Sequence, residues 1–292
     1  MAGREVALAP SLYVVATPLG HLRDITLRAL DVLASVSAIY AEDTRVSATL
    51  LAHYGIATRP RALHAHNEAA RAADVVAALA QGRSVALITD AGTPAISDPG
   101  ARVVAAVREA GHRVVPIPGP SALVTALSAA GIGAAHFFFA GFLPAKAGER
   151  DALLATLAEL PAALVFYEAP HRVARTIDAL AAALDGTRTL VVARELTKAF
   201  ETIAAMPLAD AAAWLAGDPN RCRGEFVLVV DAPVAARGAV DDAAVAAALR
   251  WMDALAAELP PARAAHVVAR VTGVARDALY AHATARKGSK KL

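Results

Sequence analysis

With 292 residues, of which 57% are hydrophobic and 19% charged, the chain has the composition of a globular protein with two domains or one large domain, which excludes a disordered protein. Its formal net charge of +2 does not by itself indicate a nucleic-acid partner, but the basic residues concentrate near the end, where residues 237–292 contain nine Lys and Arg against five Asp and Glu. The single cysteine, Cys222, excludes an internal disulfide framework and any metal site built from several cysteines, which fits a reducing compartment.

Short apolar runs alternate with longer helical patterns through the first half of the chain. Strands are predicted at 12–17, 38–42, 84–90 and 113–119, and helices near 26–36, 67–81 and 99–111. The strands are apolar throughout, and such strands alternating with helices are typical of a mostly parallel sheet that is covered on both faces. The first half is therefore predicted to be an α/β domain, residues 11–119.

The stretch 114–145 contains no Asp, Glu, Lys or Arg and is long enough to suggest a membrane span. Prolines and glycines interrupt it repeatedly, so no apolar segment approaches the ~20 residues that a spanning helix needs. We therefore predict a strand, a helix and a strand inside a buried core.

Glu5 and Pro10 interrupt the N-terminus where an export signal needs an unbroken apolar segment. The expectation is a cytoplasmic protein without a membrane partner.

The second half continues the α/β pattern. Strands are predicted at 137–142, 163–168, 189–197 and 225–231, and helices near 148–159 and 171–184. A helix that begins at Pro120 and Ser121, two favourable starting residues, is expected to join the halves. The segment between the last two strands contains less helix than a crossover needs, so part of this sheet is expected to be antiparallel. The prediction is a second α/β domain, residues 120–232, with a cleft between the two domains.

The last part of the chain, residues 240–292, is predicted to be a basic helical tail. One apolar face covers Ala264, Val267, Val268 and Val271, and after a break at Gly273 a second begins with Val274, Ala275, Ala278 and Leu279. This pattern predicts a unit the size of a helix-turn-helix. Basic residues in this tail and in the second half are candidate phosphate contacts: Arg172, Arg175, Arg221, Arg223, Arg263, Arg270, Arg276 and the run 286–291.

Four unusual loops follow the predicted strands of the first half, at 17–26, 42–45, 90–100 and 118–122. Ligands of open α/β sheets bind outside the carboxyl ends of the strands. Gly92 allows the backbone to approach a ligand closely, as does Gly119, and prolines restrict the loops before a ligand arrives. The first loop lacks the G-x-G-x-x-G of a dinucleotide site, and the chain has no G-x-x-x-x-G-K-[ST]. The loops predict a cleft that holds a ligand through main-chain groups.

In this order, the loops resemble those of the tetrapyrrole methylase superfamily of S-adenosylmethionine-dependent methyltransferases. The motifs are TPLGHLRDIT (17–26), EDTR (42–45), TDAGTPAISDPG (89–100), PGPSA (118–122), FYEAPHR (166–172), ARELTK (193–198) and RGEFVLVV (223–230). Within the superfamily they look like the branch that methylates the ribose 2′-oxygen of a cytidine in the decoding region of 16S rRNA. The resemblance spans roughly residues 11–232. It implies two α/β domains with an inter-domain cleft plus a C-terminal helical unit, S-adenosylmethionine as cofactor, 16S rRNA or the small ribosomal subunit as partner, and a homodimer.

The resemblance also implies which residues hold the cofactor, largely through backbone contacts. They are Leu19, Gly20, Gly92, Thr93, Pro94, Ile96, Ser121 and Ala122, with Phe166, Tyr167 and the strand that begins RGEF as the opposite wall. Ser121 lies at the start of a helix, where N–H groups and the helix dipole favour an anion such as the methionine carboxylate of the cofactor.

Transfer of a methyl group to a hydroxyl is an in-line displacement, and a base must remove one proton. The resemblance implies an acid near the end of the second strand, so Glu42 is favoured slightly over Asp43. The alternative for Asp43 is to cap the following helix. Lys198 and Glu201 are rival candidates from the second domain.

Other polar residues carry weaker signals. Asp24 and Asp98 are expected to brace their loops. His64 and His66 are expected on one face of a strand, but no third ligand accompanies them, so no metal site is predicted.

Two other functions stay open. A small-molecule methylase of the same superfamily, acting on a tetrapyrrole, would share the cleft, but such relatives have a more glycine-rich first loop and no evident use for a basic helical tail. A nucleic-acid-binding regulator that uses residues 259–292 as a helix-turn-helix would leave the four cleft loops without a purpose.

Overall fold

The structure of the chain, a computed structural model, describes residues 3–233 and 242–289. Contacts divide the chain into two compact units, Met1–Pro233 and Val234–Leu292. The first unit contains two five-stranded sheets, and the described part of the second unit is helical.

The first sheet is parallel throughout, with the strand order β3-β2-β4-β1-β5. Its elements are β1 (Leu12–Val15), α1 (Leu27–Ser35), β2 (Ala38–Ala41), α2 (Thr44–His53), β3 (Pro60–Ala62), α3 (Glu68–Ala80), β4 (Val85–Leu87), α4 (Ala101–Glu109) and β5 (Val114–Ile117). Alternate strand residues face opposite sides, so Tyr13 and Val15 pack into one apolar core while Leu12 packs into another. The predicted parallel sheet with two covered faces is confirmed.

Strand β3 is an element that the sequence pattern does not predict. Its residues, Pro-Arg-Ala, have little strand propensity, and the strand exists because it pairs with β2 at the edge of the sheet. His64 and His66 lie after β3 in the connection to α3, outside any strand. The expectation that the two histidines share a strand face is therefore wrong, because the strand ends before them.

Helix α5 (Ala122–Ala130) leads into the second sheet, whose strand order is β6-β7-β10-β8-β9. Its elements are β6 (Phe137–Phe142), α6 (Ala147–Leu157), β7 (Ala163–Glu168), α7 (Val173–Ala183), β8 (Thr189–Arg194), β9 (Thr202–Pro207), α8 (Ala211–Ala216) and β10 (Phe226–Val230). Strands β6 and β7 are parallel, but β10 is antiparallel to both β7 and β8. The expected antiparallel part of this sheet is confirmed.

The chain leaves β8 earlier than predicted. Glu195 and Thr197 take positive φ angles of 53° and 64°, which end the strand at Arg194 and start a loop at residues 195–201. After this loop, β9 returns to the sheet beside β8. The sequence does not signal β9, because three of its six residues are alanine or proline, which are depleted in strands.

The apolar stretch 114–145 contains β5, α5 and β6, as its prolines and glycines predict. Among the described residues, no helix combines the length and the hydropathy that crossing a bilayer requires.

The second unit contains α9 (Asp242–Glu258), α10 (Pro261–Thr272) and α11 (Arg276–Ser289). Gly273 ends α10 with a φ of +72°, at the predicted break. Ala264, Val268, Val274 and Leu279 are buried as expected, whereas Val267, Val271, Ala275 and Ala278 are exposed. The predicted faces are therefore partly wrong, because contacts among three helices select a narrower stripe than the apolar pattern suggests. Residues 240–241 and 290–292 of the predicted tail lie outside the described residues.

Candidate functional site

A cavity of about 520 Å³ lies between the two sheets of the first unit, a size typical of sites for small molecules. The loops after β1, β2 and β4 and the start of α5 form its first wall. The ends of β6, β7 and β8 and the start of β10 form its second wall. The lining residues are Leu19, Glu42, Thr89–Asp90–Ala91–Gly92–Thr93, Ile96–Ser97–Asp98, Ser121, Ala122, Phe142, Tyr167–Glu168–Ala169–Pro170–His171, Ala193, Leu196, Glu225, Phe226 and Val227.

The loop after β4 is tied to the loop after β1 by a short antiparallel bridge. The N–H of Thr17 donates to the carbonyl of Gly92 over 2.9 Å, and the N–H of Gly92 donates to the carbonyl of Thr17 over 3.0 Å. Gly92 has a φ of +85°, and a Cβ atom there would lie 3.3 Å from the Leu19 side chain. The backbone angle therefore favours a glycine, and a Cβ atom would also crowd the flexible end of the Leu19 side chain.

Backbone strain concentrates in the two loops beside the cavity. In the described part of the chain, the residues other than glycine with positive φ are Ala95, Ser97, Glu195 and Thr197. Each such residue costs roughly 1–3 kcal/mol and persists only where its surroundings over-determine the conformation. The loop after β4 and the 195–201 loop are thus held in shape before any ligand binds.

The start of α5 is linked to both walls. The Thr93 hydroxyl donates to the carbonyl of Pro120 over 2.9 Å, and the N–H of Leu123 donates to the Tyr167 hydroxyl over 3.0 Å. Burial is the main cause that raises the pKa of Tyr167. Ser121 is the N-cap residue of α5, but its side chain makes no capping hydrogen bond, so it does not occupy the first helical N–H groups.

Three carboxyl groups from the first sheet line the cavity: Glu42, Asp90 and Asp98. The Thr89 hydroxyl donates to Oε2 of Glu42 over 2.9 Å. Burial, followed by repulsion from the Glu42 carboxylate, raises the pKa of Asp98 to about 6, although a hydrogen bond with Thr89 acts in the opposite direction. Burial also raises the pKa of Asp90. The cavity therefore contains an acid whose pKa lies close to neutral pH.

Asp43 lies next to Glu42 in the chain, but its side chain stabilises the start of α2. It is the N-cap residue of α2, where its carboxylate accepts from the N–H of Arg45 over 2.8 Å and pairs with the Arg45 guanidinium. These hydrogen bonds hold the pKa of Asp43 at about 2. Asp43 does not line the cavity.

Lys198 forms ion pairs with Glu195 and Glu225, each with an N···O distance of 2.9 Å. Although burial alone would lower the pKa of Lys198, the hydrogen bonds to these carboxylates outweigh burial and raise it. The Lys198 side chain packs over Gly20, where a Cβ atom would lie 2.3 Å from Lys198 Cγ. Lys198 is thus a protonated link between the two walls and lies outside the cavity lining.

Most residues expected to hold the cofactor border this one cavity. Those that line it are Leu19, Gly92, Thr93, Ile96, Ser121, Ala122 and Tyr167. Gly20 and Pro94 belong to the same loops but do not line it. Phe166, expected on the opposite wall, is buried in the core on the other face of the second sheet, because neighbouring strand residues point to opposite sides.

Several lining residues are absent from the sequence prediction. They include the loop Ala169–Pro170–His171 after β7, and Leu196 after β8. The rule that ligands bind at strand carboxyl ends, applied to the second sheet as well as the first, is the signal that finds them. In the described part of the chain, no three His, Cys, Asp or Glu side chains are grouped as metal ligands.

Two known families match the chain in separate segments. The family described as Tetrapyrrole (Corrin/Porphyrin) Methylases matches residues 11–212, and the one described as RsmI C-terminal HTH domain matches residues 242–287.

Curated relatives are similar over nearly the whole chain, and those cited here share the name Ribosomal RNA small subunit methyltransferase I. The relative from Vibrio cholerae is 49% identical and the match covers 93% of each chain. The relative from Escherichia coli O157:H7 is 49% identical over 95% of this chain and 96% of its own. That from Pseudomonas aeruginosa is 48% identical over 96% and 99%.

Solved structures with a similar fold are more distant in sequence. The uroporphyrin-III-C-methyltransferase from Thermus thermophilus has a TM-score of 0.55 and 23% identity, with 76% of this chain and 94% of that chain covered. The methyltransferase CobJ has a TM-score of 0.59 and 22% identity, with the same coverage. At this identity the likeness establishes the arrangement of two α/β sheets alone.

Proposed function

Because the chain belongs to the tetrapyrrole methylase family, we propose that it methylates the RNA of the small ribosomal subunit. It is a methyltransferase, and its methyl donor is S-adenosylmethionine. The observation that carries the proposal is a cavity in which a cluster of half-buried carboxylates faces apolar side chains from a second sheet. The shared name of relatives with 48–49% identity over most of the chain supports RNA as the substrate.

The cavity suits S-adenosylmethionine in size and in chemistry. Its volume of about 520 Å³ is in the range of cofactor sites. Ile96, Leu196 and Phe226 supply apolar surface, while the carboxylate of Asp90 favours a cationic ligand. When bound, the cofactor supplies an electrophilic methyl group on a positively charged sulfur.

We propose that the backbone-rich loops hold the donor. Leu19, Gly92, Thr93 and Ile96 would contact it from the first wall, with Gly20 and Pro94 shaping these loops from behind. Ser121 and Ala122 would offer the N–H groups at the start of α5 to a carboxylate, because the helix dipole favours an anion there. Tyr167, hydrogen-bonded to Leu123, would fix the second wall against this helix.

We propose that the Glu42–Asp98 pair accepts the proton from the target hydroxyl. A general base works best when its pKa lies near the working pH, and burial, together with repulsion from Glu42, places the pKa of Asp98 there. Thr89 orients Glu42 by a hydrogen bond. Asp43 is a poorer base because Arg45 neutralises it, and Lys198 is held protonated by two carboxylates.

Finer features of the proposal follow from the family resemblance and from the surface. The target would be the ribose 2′-oxygen of a cytidine in the decoding region of 16S rRNA, modified in the cytoplasm. Residues 11–119 and 120–232 would be the two domains, because each contains one sheet, and residues 240–292 would form an RNA-binding tail. The exposed Phe137 and Phe138 on the edge strand β6 favour a homodimer through that edge.

The test is to incubate purified protein with isotope-labelled S-adenosylmethionine and small ribosomal subunits, and then to map the labelled ribose. Label on one cytidine 2′-oxygen is the expected result. Label on a porphyrin-type acceptor and none on RNA would replace the proposal with a tetrapyrrole methylase. A chain that lacks residues 240–292 should keep its cofactor affinity and lose RNA affinity, whereas a DNA- or RNA-binding regulator would bind no cofactor.

A further inference from the structure

Phe200 is an aromatic residue displayed to solvent beside the cavity. Its relative exposure is 74%, high for a phenylalanine, which ordinarily lies in a core. It belongs to the 195–201 loop, which borders the cavity through Leu196.

The loop that carries Phe200 is rigidly held. The buried guanidinium of Arg194 donates to the carbonyl of Phe200 and to the Thr202 hydroxyl, each over 3.1 Å. The N–H of Thr197 donates to the Glu201 carboxylate over 2.6 Å. Because the loop is fixed at both ends, its backbone presents Phe200 without the entropy cost of ordering the loop on binding.

The same loop contacts the loop after β1 at the rim of the cavity. The N–H of His21 donates to the Thr197 hydroxyl over 3.1 Å, and Lys198 packs over Gly20. Two exposed arginines belong to chain segments that adjoin this contact. Arg23 is two residues beyond His21, and the carbonyl of Arg223 accepts from Arg194. Neither arginine forms a salt bridge with another described residue.

An exposed ring on a rigid loop, with exposed arginines on the adjoining segments, has the character of a site for single-stranded nucleic acid. Proteins that bind unpaired RNA stack its bases on aromatic side chains and contact its phosphates with basic ones. A protein partner would need a larger apolar patch, whereas the neighbours of Phe200 in the loop include Lys198, Ala199 and Glu201. The surroundings of Phe200 therefore favour RNA over a second protein.

We propose that Phe200 is a stacking platform for an unpaired base of the RNA substrate, adjacent to the nucleotide whose ribose enters the cavity. This inference rests on the proposed RNA methylation. Stacking there positions the target by holding its neighbour, and Phe200 itself takes no part in the proton transfer.

The test uses the full chain with Phe200→Ala, Phe200→Leu and Phe200→Trp. Stacking of one base predicts that the alanine and leucine variants raise the KM for small ribosomal subunits by about 10-fold, while tryptophan keeps it near the wild-type value. The KM for S-adenosylmethionine should stay unchanged in all three variants, because Phe200 does not line the cavity.

Three outcomes would overturn the inference. An unchanged KM for the alanine variant would show that no base stacks on the ring. Wild-type behaviour of the leucine variant would show a general apolar contact instead of stacking. A smaller oligomer for the alanine variant in sedimentation would assign Phe200 to a protein interface. If the wild-type enzyme itself labels no RNA, the proposed function fails, and that result is distinct from these three.

Discussion

Two groups of carboxylates lie in the cavity wall or next to it, and they differ in whether a cation is paired with them. Glu42, Asp90 and Asp98 form no salt bridge with a described residue, whereas Glu195 shares Lys198 with Glu225. Burial raises the pKa of Asp98 to about 6. Burial also acts on Glu195, but the contacts with Lys198 outweigh it and lower the pKa. The same chemical group thus has a raised pKa in one wall and a lowered pKa in an ion pair of the other wall.

The largest expected effect comes from removing the charge of Glu42. Glu42→Gln should lower kcat by about 100-fold or more, because proton removal loses its acceptor. Affinity for S-adenosylmethionine, measured by calorimetry, should stay within about twofold, because the amide keeps the shape of the side chain. Asp43→Asn is the matched control, since it changes a neighbouring carboxylate that caps α2, and it should retain turnover. Wild-type turnover for Glu42→Gln would place the base elsewhere.

The pH dependence should identify Asp98 as the partner in the pair. With a pKa of about 6, Asp98 binds a proton below that pH, so kcat/KM should fall by up to about tenfold for each pH unit below about 6. Above it, kcat/KM should be level. In Asp98→Asn this acidic limb should disappear or move. Identical pH profiles for the variant and the wild type would show that the acidic limb does not arise from Asp98.

The stability of the folded chain should depend on the ionisation of Asp98, because no cation among the described residues is paired with its carboxylate. The pKa of Asp98 is about 6 in the folded chain against an ordinary value of 3.8, so the folded state binds more protons between these pH values. Stability from this group is therefore present below about pH 4 and is lost as the pH rises through about 6. Asp98→Asn should raise Tm at pH 7.5 by about 2–4 °C, and the gain should vanish near pH 4. A lower Tm at pH 7.5 would contradict this account.

Breaking the ion pairs of Lys198 should instead lower Tm, and by a smaller amount. Lys198→Met leaves Glu195 and Glu225 close together without their cation, so Tm at pH 7.5 should fall by about 2 °C. The lowered pKa of Glu195 means that its stabilising contribution is present at neutral pH and is lost in acid. The difference in Tm between Lys198→Met and the wild type should therefore shrink towards pH 4. A difference that stays constant with pH would mean that the methylene packing of Lys198 over Gly20 matters more than its charge.

The sequence predicts one wall of the cavity better than the other. The first wall consists of loops after parallel strands, whose Gly and Pro residues mark them directly, and Leu19, Gly92 and Ser121 line the cavity as expected. The second wall depends on pairings of β10 with β7 and β8, which join segments far apart in the chain. Neighbouring residues of β7 face opposite sides, so the register of these pairings decides that Tyr167 faces the cavity and Phe166 the core.

The sequence by itself determined the α/β alternation, the interrupted apolar stretch and the end of α10 at Gly273, because hydrophobic period and turn chemistry act over a few neighbouring residues. Only the tertiary structure decided the surroundings of the acids. Glu42 and Asp98 are far apart in the chain, and the partial burial and the mutual repulsion that raise the pKa of Asp98 arise only when the strands bring the two carboxylates together. Asp43, adjacent to Glu42, faces Arg45 instead, and no sequence pattern separates these two neighbours.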